Sequence, residues 1–443
     1  MYIPSALNAK VPIRFLMGHA LPVIVGIALV AIGLPGCPRP EPGPVAQRPF
    51  PQHAAYSAGT LWVNNRPQAT LDDDVRTAYD RWKQRYLARA GNDENGDPRY
   101  RIKFSSDADS PTVSEGQGYG MLIVAHMAGY DADAKKILDG LWDFASDHRS
   151  KIDPRLPDWW VDADESPDDN GDTSAFDGDA DIAYGLLLAH AQWGSAGDVN
   201  YLAEATTLIN AIFESEAGPD SLLPLLGDWV DPAGETLNQY ATRSSDFLVG
   251  HFRAYERVAG EDDWLGVIAA CQAAITEIQE NHSAASGLLP DFLTGTSAED
   301  HTLRPAAPDT LEGPSDGMYY YNAGRDPWRI GTDWLLNGDA ASRAQVQKIS
   351  LWAEESTGGD PLQVKPGYML DGTPIPPADF FTTFFVAPLG VAAMCTPGQQ
   401  DWLNAVYDSV RDAQEEYYED SVTLLGMLVM TGNFWDPTQE ARR

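Results

Sequence analysis

Positive charge is the scarcest feature of this sequence. Lys and Arg total 30 against 65 Asp and Glu, and the formal net charge is −35. Such a surface repels nucleic acid and anionic lipid; it would attract a polycation, or serve solubility alone. Cysteine is nearly missing as well. Cys37, Cys271 and Cys395 make neither a disulfide framework nor a metal cluster. Cys271 and Cys395 lie in apolar helical segments and read as buried free thiols, a single pair between them being the alternative. Histidine is sparse and scattered, 8 in all, which argues against an isomerase or epimerase built on imidazole pairs. Convincing runs of alternating apolar and polar residues are also absent, short pieces such as Met318 to Tyr321 apart, and this points away from a sheet-based fold.

Apolar residues are plentiful. They make up 43% of the 443 residues, with 13 Trp, 18 Tyr and 14 Phe, enough for a large core. Residues 1–37 read as an export signal: Lys10 and Arg14 precede an apolar run from Phe15 to Leu34, which ends Leu34-Pro35-Gly36-Cys37. Leu-x-Gly-Cys resembles a bacterial lipoprotein cleavage site, so Cys37 would carry lipid and attach the protein to a membrane. A membrane-spanning helix is the other reading of the run. Both readings place the rest of the chain outside the cytoplasm, surface-attached or secreted. Residues 38–69 are Pro-rich early and read as a tether. Residues 70–436 form the domain proper, 437–443 a short tail, and no second binding module is visible.

From residue 70 the pattern is helical. Thr70 reads as a cap for a segment in which Val75, Tyr79, Trp82 and Tyr86 recur at helical spacing. About twelve such segments follow, beginning near 71, 115, 133, 178, 198, 243, 263, 326, 341, 378, 399 and 419. The long connections, 91–114, 149–176, 214–242, 281–325 and 357–377, fall on alternate joints. Six helix hairpins in a ring would put long loops at one end and short ones at the other. The expected fold is therefore all-α, an (α/α)6 barrel with its cleft among the long loops.

Three strings carry chemistry. The first is Ser114-Glu115-Gly116-Gln117-Gly118-Tyr119-Gly120-Met121. Ser114 reads as a helix N-cap, with Glu115 on the first turn. Glycine near a helix start costs about 1 kcal/mol against alanine, so three of them imply that something approaches the backbone closely. The second runs Ala175-Phe176-Asp177-Gly178-Asp179-Ala180-Asp181 into an apolar helix. One Asp could cap that helix, but three exceed what a cap needs. The third runs from Asp309-Thr310-Leu311-Glu312-Gly313-Pro314-Ser315-Asp316 to Tyr321-Asn322-Ala323-Gly324-Arg325-Asp326-Pro327-Trp328-Arg329.

The first string resembles the general-acid motif of glycoside hydrolase family 8, a family of inverting endo-glycanases with the (α/α)6 fold. The second and third resemble further blocks of the same family, as does the helix from Tyr417 to Trp435. The resemblance spans residues 70 to 436. It implies Glu115 as general acid and Asp177 as the carboxylate at the cleavage point. A helix N-terminus lowers a carboxyl pKa, so an ionised Asp177 nearby and burial against aromatics are expected to raise Glu115 into the working range. Many members have their base where Asn322 stands, and Asn cannot accept a proton. A subgroup with Asn there takes its base from a Glu in the loop upstream, which Glu312 matches; Asp316 and Asp309 are the fallbacks. Members of that subgroup cleave cellulose-type β-glucan, mixed-linkage β-glucan or chitosan. A non-catalytic carbohydrate-binding protein on the same fold is the alternative that Asn322 suggests.

Sugar faces are apolar, so aromatic platforms are expected on the long loops. Candidates are Trp159, Trp160, Trp229, Phe292 and Tyr368, of which Trp159 and Trp229 match family positions that stack on sugars. Tyr119, Asp179, Asn322 and Arg325 complete the expected substrate contacts. Arg243 and Arg329, and Arg325 with them, are expected to pair with the acids more than to touch polymer, and Asp246 to bond a sugar or close that network. The loop Asp162-x-Asp164-x-Ser166-x-Asp168-x-Asn170 has calcium-like alternation but Thr173 at the position where an EF-hand needs Glu. Asn92 to Asp97 is shorter still. No metal or cofactor is expected. The expected partner is a polysaccharide, acted on by a monomer.

Overall fold

Twelve α-helices occur among the described residues, and packing sorts them into two kinds. The computed structural model describes residues 45–166, 171–260, 263–295, 301–376 and 379–439. Cys37, Asp168 and Asn170 lie outside them. The first kind comprises α2 (Ser114–His126), α4 (Phe176–Trp193), α6 (Val249–Ala259), α8 (Asp326–Asn337), α10 (Thr383–Met394) and α12 (Tyr417–Met430). In α2 every residue except Glu115 is buried, and in α10 every residue is. A helix apolar all round must be enclosed on all sides. The second kind comprises α1 (Gln68–Tyr86), α3 (Ala134–Asp147), α5 (Tyr201–Glu216), α7 (Asp263–Asn281), α9 (Ala340–Thr357) and α11 (Gln400–Val410). These bury a stripe, such as Ile137, Leu138, Leu141, Trp142 and Ala145 of α3, and turn the rest outward.

The helices of the first kind make a closed ring. α2 packs on α4, α4 on α6, α6 on α8, α8 on α10, α10 on α12, and α12 returns to α2. The striped helices lie outside, each against one or two inner neighbours. The expected (α/α)6 barrel is the observed fold. The glycines of α2 are used for close approach: an added Cβ would stand 2.6 Å from Tyr417 Oη at Gly116, from Asp181 Cβ at Gly118 and from Ile102 Cγ1 at Gly120.

Helix starts differ from expectation in detail. α1 begins at Gln68 with Pro67, not Thr70, at the N-cap. Ser114 is the first residue of α2, with Val113 at the N-cap and no side-chain cap bond. α6 begins at Val249 because residues 244–246 form a separate 3-10 turn.

The long connections carry short strands: β1 (Leu87–Asn92), β2 (Pro98–Ile102), β3 (Thr112–Val113), β4 (Trp160–Val161), β5 (Thr242–Arg243), β6 (Phe292–Gly295) and β7 (Leu303–Pro305). They pair antiparallel as β1 with β2, β3 with β4, and β5-β6-β7. Met318 to Tyr321 supplies only a single bridge, between Tyr319 and Tyr368. The acidic run Asn92 to Asp97 is the turn of the β1–β2 hairpin. There Asp93 accepts from the N–H groups of Asn95 and Asp97.

The opposite end of the barrel is closed by the stretch read as a tether, and that reading is corrected from residue 45 onward. Its backbone N–H groups bond carbonyls at the C-terminal ends of five inner helices: Gln47 to Gln192 (3.0 Å), Phe50 to Ala128 (2.7 Å), Ala54 to Gly432 (2.7 Å), Ser57 to Leu335 (2.9 Å) and Leu61 to Met394 (2.9 Å). Helix C-termini leave such carbonyls without intrahelical partners. Phe50 and Val63 are buried with the core. The described part of the tail packs too, Gln439 bonding Asn337 and Asp436. Both described cysteines, Cys271 and Cys395, are free and buried, so no pair forms between them. Among the described residues no helix is long and apolar enough to cross a membrane.

Candidate active site

The inner helices begin at the end of the barrel where the long connections lie, so their first turns form a floor among the loops. Glu115 stands on the first turn of α2 with 15% of its side chain exposed. Tyr119, one turn on, donates from Oη to Glu115 Oε1 at 2.9 Å. Asp177 stands on the first turn of α4. Arg325, in the 3-10 turn Ala323–Arg325 before α8, is almost fully buried. Its Nη1 donates both to Glu115 Oε1 and to Asp177 Oδ2, the latter at 2.7 Å. The two carboxyls thus meet on one guanidinium nitrogen.

Their protonation diverges. Burial pushes Glu115 up to about 7, with Arg325 opposing and Asp177 adding to the rise. Burial also works against the Asp177 charge, but Arg243 and Arg325 overcome it and hold that carboxyl down at about 2. One group can hold a proton near neutrality beside one that stays ionised.

A third carboxylate reaches the same floor from a loop. Asn322 Nδ2 donates to Glu312 Oε2 at 2.9 Å, while Asn322 Oδ1 accepts from Arg325 Nη2 at 3.0 Å. Arg243 Nη2 approaches Glu312 Oε1 at 3.5 Å, and its Nη1 lies 3.5 Å from Asp177 and 3.6 Å from Asp246. The Glu312 side chain is 47% exposed, open to water. The fallback acids sit differently. Asp316 is buried and accepts from the N–H groups of Leu311, Glu312 and Gly313, which shapes the loop carrying Glu312. Asp309 is exposed at the left-handed φ of 59°.

Of the expected platforms, Trp229 is 38% exposed on the loop after α5. Trp159 is half-buried, and its carbonyl accepts from Ser114 N at 3.0 Å, which fixes it beside the acid. Trp160 packs at 5.4 Å from the Trp159 ring and donates to Asp162. Asp164 accepts from Ser166 N, so two acids of the calcium-like loop already have protein partners. Four expected substrate contacts are corrected. Tyr368 is buried against Tyr319 and Trp352, and its hydroxyl accepts from Lys365 N. Phe292 is buried in a small cluster with Leu225, Leu226, Val230 and Ala306. Asp179 is fully buried and cannot reach a bound sugar. Tyr119 is enclosed as well and donates to Glu115 instead, while Arg325, also enclosed, pairs with the acids as expected. Arg329 pairs with Asp181, as expected of an arginine among acids.

Some participants went unread in the sequence. Asp291 accepts from the N–H groups of Tyr320, Asn322 and Ala323, and so shapes the turn that presents Asn322. Ser245 accepts from Arg325 Nη2 at 2.7 Å. Tyr418 stacks its ring on Phe384 and lies under the Arg325 guanidinium. Asp291 was within sight, one residue before the Phe292 taken for a platform. Ser245 carries no signal beyond lying next to Asp246.

Comparison with known proteins gives one family. The family model described as glycosyl hydrolases family 8 matches residues 49–432. The chain is 40% identical to a β-glucanase of Niallia circulans, over 88% of this chain and 91% of that protein. It is 37% identical to an endoglucanase of Bacillus sp. (strain KSM-330), over 89% and 83%. Among solved structures, the apo structure of a β-1,3-1,4-glucanase from Paenibacillus sp. X4 matches with 39% identity and a TM-score of 0.82, covering 88% of this chain and all of that one. The chain belongs to glycosyl hydrolases family 8 and is a glycoside hydrolase.

Proposed function

We propose that the protein cleaves β-1,4 linkages of a cellulose-type or mixed-linkage β-glucan from within the chain, with inversion at the anomeric carbon. The observation that carries this is the link between Glu115 and Glu312 through Arg325 and Asn322. Glu115, held protonated by burial, gives its proton to the glycosidic oxygen as the bond to the anomeric carbon breaks. Glu312, exposed to water, removes a proton from the water that attacks from the opposite face. Asp177 stays ionised and stabilises the positive charge that develops on the sugar ring. Inversion needs room for that water, with the two carboxyls roughly 6.5–9.5 Å apart.

A neutral glucan is favoured over chitosan because the similar proteins are named as β-glucanase, endoglucanase and β-1,3-1,4-glucanase. The net charge of −35 supports chitosan as the second reading. Reducing-sugar release from lichenan, carboxymethyl-cellulose and soluble chitosan, wild type beside E115Q, tests both. The expected result is turnover of lichenan by wild type alone, with the α-anomer as first product by NMR. A β-anomer overturns the mechanism, and faster turnover of chitosan overturns the substrate.

Export, by the lipoprotein route or by secretion, belongs to the same proposal. The chain enters the domain at the end opposite the cleft, so an anchored enzyme would hold its cleft away from the membrane. Labelling with a radioactive fatty acid, lost in Cys37→Ser, tests the anchor.

A further inference from the structure

Asp179 cannot touch substrate, yet it is an acid in the first turn of α4, two residues from Asp177. Both of its carboxyl oxygens are buried without a protein N–H or hydroxyl donor. It faces Glu216, the last residue of α5, which is fully buried too. Glu216 Oε1 accepts from Ser174 Oγ, and Oε2 has no N–H or hydroxyl partner. Two buried carboxyls facing each other can bond only if one carries a proton.

The pair is wired to the cleft on two sides. On one side the backbone of α4 leads directly to Asp177. On the other, Ser174 Oγ accepts from Asp228 N at 2.9 Å and Ser174 N donates to Asp228 Oδ1 at 3.0 Å. Asp228 also accepts from Ser150 Oγ and Asp153 N, and the next residue is the exposed platform Trp229.

We propose that Asp179 and Glu216 form a proton-holding clasp that positions Asp177 and the Trp229 loop for substrate. It rests on the glucanase reading of that cleft. While a proton is held, the start of α4 and the loop after α5 are drawn together. Once the proton is lost, two anions face each other in a dry site and the loop moves off. The charged groups facing the pair are Asp177 on the same helix turn, Asp228 after α5, Asp246 before α6 and Arg149 after α3. Three of the four are acids, which favours the protonated clasp. Burial pushes Glu216 up to about 8 and raises Asp179 well above the ordinary carboxylate range.

Binding of a mixed-linkage β-glucan hexasaccharide to E115Q and to E115Q/E216Q, by calorimetry from pH 6 to pH 9, tests the clasp without turnover. A glutamine amide can donate to Asp179 at any pH while its oxygen still accepts from Ser174. Because binding is reduced by the fraction of competent protein, E115Q should bind about tenfold more weakly at pH 9 than at pH 6. E115Q/E216Q should lose most of that dependence. Equal pH dependence in the two proteins overturns the clasp. A second readout is thermal. Glu216 has its folded pKa raised above the unfolded one, so its contribution falls as pH rises from about 4.5 to about 8. The Tm difference E216Q minus wild type should therefore grow across that window and level off above it; a constant difference also overturns the clasp. If E115Q binds no glucan at any pH, the substrate reading fails, while the Tm comparison still judges the clasp.

Discussion

At the residue scale, the proposed mechanism rests on two carboxyls on one arginine taking opposite protonation states. Replacing Glu115 by Gln removes the proton donor and leaves its shape, so kcat should fall by about 10²–10⁴ while oligosaccharide binding persists. In wild type the proposed acid must be protonated, and burial pushes its pKa up to about 7. Above that pH, kcat/KM should drop about tenfold per unit. Asp177→Asn removes an anion that raises Glu115, so the alkaline limb should move to lower pH, read from the pH profile of residual activity. The Asn322 amide can be tested by exchange. Glu312→Gln should abolish turnover, and adding Asn322→Asp should restore part of it by placing a carboxylate on the same floor; no rescue would mean that position 322 cannot reach the water. The strings around Glu115 and Asp177 were legible because glycines and acids at helix starts have few structural uses. Asp179, Phe292 and Tyr368 were misjudged for a common reason. A motif names which residues gather at a site, and only the fold says which of them face the solvent.

At the scale of the element, the barrel was largely legible. The starts expected near 115, 133, 178, 326, 341 and 399 lie within two residues of α2, α3, α4, α8, α9 and α11. Apolar periodicity in long helices is a strong signal, and loop lengths on alternate joints carried the topology. The β1–β2 hairpin was missed because its short strands, Leu87–Asn92 and Pro98–Ile102, carry Ala, Gly and Pro, which favour strands poorly, and their burial does not alternate cleanly. The glycines of α2 give a test at this scale. A Cβ at Gly118 would stand 2.6 Å from Asp181 Cβ on α4, and Asp181 is held by His251 and Arg329. Gly118→Ala must push two inner helices apart. It should cost about 1–3 kcal/mol by overpacking, against the gain of up to about 1 kcal/mol that alanine brings to an unhindered helix. Chemical denaturation checks the sign, and a stabilised variant would mean that the ring yields at no cost.

At the scale of the whole molecule, the two ends of the barrel solve opposite problems. The end with the inner N-termini gathers acids, and the positive ends of the helix dipoles, with Arg243, Arg325 and Arg329, offset them. The other end gathers carbonyls, and the strap of residues 45–67 supplies the donors. Deleting that strap should therefore separate stability from catalysis. Five backbone bonds are lost, each worth about 0.5–1.5 kcal/mol net, along with the burial of Phe50 and Val63 at about 1.5–3 kcal/mol each. The shortened enzyme should unfold at a distinctly lower temperature or denaturant concentration. At a temperature where it remains folded, its KM and the position of its alkaline limb should match wild type, because none of the strap's hydrogen bonds reaches Glu115, Asp177, Arg325 or Glu312. A shift in that limb would show that the strapped end and the cleft are coupled through the helices that join them.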